Sequence, residues 1–302
     1  MAIMNPGLIH APVTPFAANG AVDYDAYARL VRFHLAHGAD SIALPLHVGE
    51  SVSLKHEERQ RLLDTALAVA ARARPVLAHV SDSGTAIAAA RARDAERAGA
   101  AAIIATVPYY WTPPAAMVLE HFATIATAVS LPFYVLYTPR EMPGVKIGTD
   151  LLLKLMDRAA NVAGVIDASL DWQSMINLVS AGQRRRADFQ LLSGSDYLIS
   201  ASAIGACGFV SALAGIAPRM VRRAFETCRA ERYADARAEQ ETIAALAQAV
   251  KRAGNGGIKT AMRLMGRDCG LPRPPLEGAT PAATSALAAE LERLLAHEPK
   301  GW

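Results

Sequence analysis

Short apolar runs, each followed by a polar turn and an amphipathic stretch of about ten residues or more, recur along most of this chain. Such alternation predicts βα units around a parallel sheet. The runs Leu8–Pro12, Ser41–Leu46, Val76–Val80, Ala102–Val107, Phe133–Tyr137, Val162–Ile166, Phe189–Leu192 and Phe209–Leu213 are the predicted strands. They are continuously apolar rather than alternating, as strands buried on both faces are. Asp23 caps a predicted helix carrying Leu30, Val31 and Phe33, and Gly38 ends it. Leu62, Leu63, Ala66 and Leu67 form the stripe of a second helix; Gly99 closes one that begins near Thr85, and Thr149 precedes one over Leu151–Leu155. Beyond the eighth unit only helical patterns remain, Ala234–Lys251, Ile258–Arg267 and Ala282–Ala296. They are separated by Gly254-Asn255-Gly256-Gly257 and Leu271-Pro272-Arg273-Pro274-Pro275. The predicted architecture is α/β: a (β/α)8 TIM barrel over 1–225 and a C-terminal three-helix extension over 226–302.

Composition narrows the class without naming a chemistry. The chain of 302 residues is 52% hydrophobic and 20% charged, which suits one compact barrel and not a disordered chain. A net charge of +3, with acids and bases interspersed, gives no nucleic-acid footprint. No apolar run reaches the length of a membrane span, and the opening residues lack the basic and apolar regions of a signal peptide. Cys207, Cys228 and Cys269 are scattered, so a reducing cytoplasm is the expected compartment. Lysine is scarce: Lys55, Lys146, Lys154, Lys251, Lys259 and Lys300 are all there are.

Several strings, in order along the whole chain, resemble the dihydrodipicolinate synthase / N-acetylneuraminate lyase family. They are Thr14-Pro15-Phe16 with Gly20-Ala21-Val22-Asp23; Gly49-Glu50 with Leu54 and Glu57-Glu58-Arg59; and Pro108-Tyr109-Tyr110. The series continues with Leu131-Pro132 through Tyr137, Ser193-Gly194-Ser195-Asp196, Gly205-Ala206-Cys207-Gly208-Phe209-Val210-Ser211 and Arg273-Pro274-Pro275-Leu276. The resemblance implies a (β/α)8 barrel with a helical extension, usually a homotetramer, that binds pyruvate or another 2-oxo acid as a lysine imine. An imine is an electron sink for a neighbouring carbanion. In the family two tyrosines relay protons, corresponding to Tyr137 and Tyr110, the latter reaching into a neighbouring subunit.

The sequence departs from that pattern where the chemistry sits. Gly164-Val165-Ile166-Asp167-Ala168-Ser169 resembles the family's lysine string, with Ile166 at the lysine position. Leu46-His47-Val48-Gly49-Glu50 lacks both threonines of the family's carboxylate cradle, and Met142 aligns with its arginine, Arg140 lying two residues earlier. His47 and His79 replace a threonine and a glycine at expected strand ends, the face on which barrels build sites. The expected catalytic groups are Tyr137, Tyr110 and His47. The expected substrate-binding residues are His79, Gly49, Ile166, Asp167, Arg140 and Ser211.

No metal and no cofactor is expected. The expected partners are a small-molecule metabolite and further copies of the chain, as a dimer or tetramer, with neither nucleic acid nor membrane. Three functions stand open: a lyase working without a lysine imine, a ligand-binding or regulatory barrel without catalysis, and an aldolase whose lysine enters from elsewhere. For His47 and His79 an acid–base pair, a metal site with Asp167 or Asp82, and a plug of hydrogen-bonded rings are likewise open.

Overall fold

A computed structural model describes residues 6–142 and 145–302. The first half of the chain runs β1 (Leu8–His10), α1 (Tyr24–Ala36), β2 (Ser41–Leu44), α2 (His56–Ala70), β3 (Val76–His79), α3 (Thr85–Ala98), β4 (Ala102–Thr106) and α4 (Ala115–Thr127). The second half continues with β5 (Phe133–Tyr137), α5 (Thr149–Arg158), β6 (Val162–Asp167), α6 (Trp172–Arg185), β7 (Gln190–Ser193), α7 (Leu198–Ala203), β8 (Ala206–Ser211) and α8 (Pro218–Arg229). All strands pair in parallel and in chain order, and β8 returns to β1 through Leu8 opposite Phe209, which closes the barrel. Three more helices follow: α9 (Arg237–Arg252), α10 (Gly257–Leu264) and α11 (Pro281–Leu294).

Local chemistry explains where elements begin and end. The Asp23 side chain accepts from the Ala26 backbone N–H and so caps α1, and Gly99 in the left-handed region closes α3. Gly164 is needed for a different reason: a Cβ there would stand 2.1 Å from the Gln190 carbonyl oxygen, so only glycine lets β6 and β7 approach. Side chains divide into a barrel interior that includes Ile9, Leu77, Ile104 and Ile166, and an outer layer beneath the helices. The extension shares that outer core, since Ile243, Leu246 and Leu287 join the cluster that holds Leu8, Leu30 and Phe225.

Some expected boundaries shift. β1 and β2 stop at His10 and Leu44, short of the expected Pro12 and Leu46. β8 begins at Ala206, right after the left-handed Gly205, and the expected end at Leu213 instead opens a short 3-10 turn. Among the described residues no helix is long and apolar enough to cross a membrane.

Candidate functional site

The C-terminal ends of the strands carry most of the expected residues, but not as one set. His47 does not end a strand: it opens a 3-10 turn, His47–Gly49, beyond β2, and its side chain is exposed. Gly49 is buried and its carbonyl accepts from the Thr14 hydroxyl at 2.7 Å. Glu50 follows in the left-handed conformation, φ 54°, and points away from the mouth toward the extension. Val48 packs against the interior cluster and offers no hydrogen bond.

His79, the last residue of β3, has both ring nitrogens engaged. Nδ1 lies 2.8 Å from the Pro45 carbonyl and Nε2 2.7 Å from Ser81 Oγ. Burial, reinforced by the Arg59 guanidinium, holds its pKa down to about 3, so the ring is neutral. Its ring partners are thus Pro45 and Ser81. His10 turns outward, to a 3.0 Å ring-nitrogen contact with His34 on α1.

Ile166 is fully buried in the barrel interior with Leu136, Leu192 and Tyr134. Lys55, Lys146, Lys154, Lys251 and Lys300 are exposed, and Lys259 is buried against Glu50 at 2.6 Å. Asp167, next along β6, is fully buried; the Ser169 N–H donates to its Oδ1 at 2.7 Å, and Oδ2 has no hydrogen-bond partner among the described residues. Burial raises its pKa. Tyr137 ends β5 opposite Asp167, and its phenol is raised first by burial and then by the Asp167 and Asp171 charges. These two groups are therefore brought together.

Tyr110 is not brought to them. Its side chain is 89% exposed, its backbone is held at φ 77°, and its ring meets Trp111 edge to face at 4.8 Å. Arg140 is exposed in the turn after β5. Ser211, at the end of β8, donates to Asp196 Oδ1 at 2.6 Å and accepts from the Ala214 N–H at 3.2 Å. Asp196 was absent from the expected set although it closes the Ser193–Asp196 string. Burial pushes its carboxyl up to about 6, against the Ser211 hydrogen bond, a value at which a carboxyl can exchange a proton near neutral pH. The shift comes from burial in the folded chain, and no spacing in the sequence encodes that burial or the pairing with a hydroxyl fifteen residues onward.

A closed (β/α)8 barrel with its polar groups at the C-terminal strand ends and a helical extension packed into the same core is the architecture on which barrel enzymes build their sites. The chain belongs to the dihydrodipicolinate synthetase family, which it matches over residues 4–294. It is 35% identical to the 4-hydroxy-tetrahydrodipicolinate synthase of Kineococcus radiotolerans over 289 residues, covering 94% of this chain and 91% of that one. With the enzyme of the same name from Rhizobium meliloti it shares 33% over 294 residues, 95% and 98% of the two chains. The crystal structure of dihydrodipicolinate synthase from Aquifex aeolicus superposes with a TM-score of 0.91 at 28% identity, covering 98% of this chain and 99% of that one.

Proposed function

We propose that this protein carries out lyase-type chemistry on a small 2-oxo-acid-like or carbonyl metabolite without forming a lysine imine. The observation that carries the reading is Ile166: an alkyl side chain with no exposure occupies the interior position that resembles the family's lysine site, and the one buried lysine is paired with a carboxylate elsewhere. In this reading Tyr137 and His47 are the acid–base groups, with Asp167 tuning Tyr137. Gly49, Ser211 and Arg140 hold the substrate's polar end, while His79 and Ile166 wall the cavity. Tyr110 completes the site from a second subunit, because in its own chain it faces outward. A homo-oligomer, dimer or tetramer, follows from that assignment. The three cysteines are unpaired, which supports a cytoplasmic setting.

The test is borohydride reduction in the presence of pyruvate, followed by mass spectrometry of the intact chain. The expected mass is that of the untreated protein, since an imine needs an accessible lysine amine. A stable adduct on any lysine overturns the proposal. Specific binding of a 2-oxo acid with no turnover of any carbonyl substrate would move the protein to the alternative of a catalytically inactive, ligand-binding or regulatory barrel.

A further inference from the structure

The turn that carries His47 is tied to the C-terminal extension rather than to the barrel alone. Glu50 closes the turn by donating its N–H to the His47 carbonyl at 2.9 Å, and its carboxylate is then split between two parts of the extension. Oε1 meets Lys259 Nζ of α10 at 2.6 Å, and Oε2 accepts the Arg273 N–H at 2.8 Å. Lys259 also donates to the Leu271 carbonyl at 3.2 Å. Both cations stand over the ring of Phe16, Lys259 Nζ at 4.1 Å and the Arg273 guanidinium at 4.3 Å from its centre. Arg273 reaches further, to the Ser53 carbonyl and to both oxygens of Glu58.

We infer that Lys259 is a positioning residue: acting through Glu50, it sets the conformation of the His47–Glu50 turn and with it the location of His47 at the barrel mouth. The physical ground is that Glu50 is a non-glycine residue in the left-handed region, a conformation that persists only where its surroundings over-determine it. Two full carboxylate contacts, both made inside the protein, supply that determination. The Lys259 ammonium is buried, and its contacts are with the Glu50 carboxylate, the Leu271 carbonyl and the Phe16 ring. Burial draws its pKa down while Glu50 holds it up, so the pair is retained as ions only as long as both partners stay. This inference gives weight to His47 because of the reading above, but the turn's geometry stands or falls without it.

The experiment is amide hydrogen exchange on the full chain, without ligand, comparing Lys259→Met, Lys259→Arg and the double variant Glu50→Gln/Lys259→Met with the parent. Exchange at the Gly49 and Glu50 amides is expected to rise by about tenfold or more in Lys259→Met. Barrel amides such as Ile103 should keep their protection, and Lys259→Arg should restore most of the loss at the turn. The resonances of the His47 ring should move in Lys259→Met while those of His37 stay. Should Lys259→Met prove too unstable to study, the double variant, which removes both charges together, must still show the local rise. Uniform loss of protection across the barrel, or an unchanged turn with only a lower melting temperature, makes Lys259 merely structural and overturns the inference. Loss of ligand binding with an unchanged turn would instead count against the function proposed for His47.

Discussion

The hydroxyl of Ser81 donates to His79 Nε2 across 2.7 Å, and the ring's orientation follows from its other side. The Pro45 carbonyl, 2.8 Å from Nδ1, can only accept, so Nδ1 carries the ring proton and Nε2 offers a lone pair. Ser81 Oγ in turn accepts from the Thr106 N–H at 2.8 Å, which links β2, β3 and β4 at the mouth. Replacing His79 by leucine keeps comparable bulk but leaves the Pro45 carbonyl and the Ser81 hydroxyl without this partner. We expect a loss of about 2 kcal/mol in urea denaturation. A variant as stable as the parent would mean that the ring is not a structural plug.

Stability should fall as the solution is acidified below neutrality. Burial holds His10 and His79 down to about 3 and His121 to about 4, and pulls His34 down as well. In an unfolded chain a histidine titrates near about 6.5. Between those values the unfolded chain binds protons that the folded chain does not, so His10, His79 and His121 each destabilise the fold by about 2 kcal/mol between pH 7 and pH 5, and His34 acts in the same direction. Asp196 works in the opposite sense, because its folded pKa of about 6 lets the native state take up a proton first, returning about 1 kcal/mol over the same interval. Urea midpoints at pH 7 and pH 5 measure the balance. A midpoint that holds or rises on acidification contradicts it.

Ile166→Lys alone should not create aldolase activity. The new amine would sit among Leu136, Leu192 and Tyr134, where the charged form is costly, and the variant should lose about 3 kcal/mol of stability. Desolvation would lower the amine's pKa and favour nucleophilic attack, but Val48 cannot hold a substrate carboxylate and His79 fills the neighbouring wall. At most a trappable imine with an unhindered 2-oxo acid is expected. Adding His47→Thr and Val48→Thr should do better. Turnover of a pyruvate-derived substrate at roughly 1 per second or more by the single variant would refute the argument.

Association should depend on the exposed aromatic pair. Tyr110 and Trp111 stack edge to face with 89% and 64% of their surfaces open, an arrangement that a covered interface accounts for. Light scattering should report a dimer or tetramer, and Trp111→Ser should weaken association by about tenfold or more. A parent protein that is monomeric at all concentrations removes Tyr110 from the site.

Much of the architecture was legible in the sequence because it depends on local and periodic signals. The eight apolar runs, the Asp23 cap, Gly99 and the helix-only pattern after β8 each correspond to an element of the fold, since strand burial, capping and helix termination act over a few residues. The ordered motifs likewise marked the family. Direction was not legible: a continuously apolar strand has no period to show which side chains face inward. Only the closed barrel turns Ile166 into its interior and His10 out toward α1. Nor could any spacing reveal pairings made across the fold. Asp196 acquires its raised carboxyl from burial and its hydroxyl partner from Ser211 across the fold, Asp167 meets Tyr137 only because β5 and β6 are neighbours, and Lys259 finds Glu50 from the far end of the chain. These contacts depend on closure of the sheet and on docking of the extension, and electrostatics and desolvation follow distance in space rather than distance along the sequence.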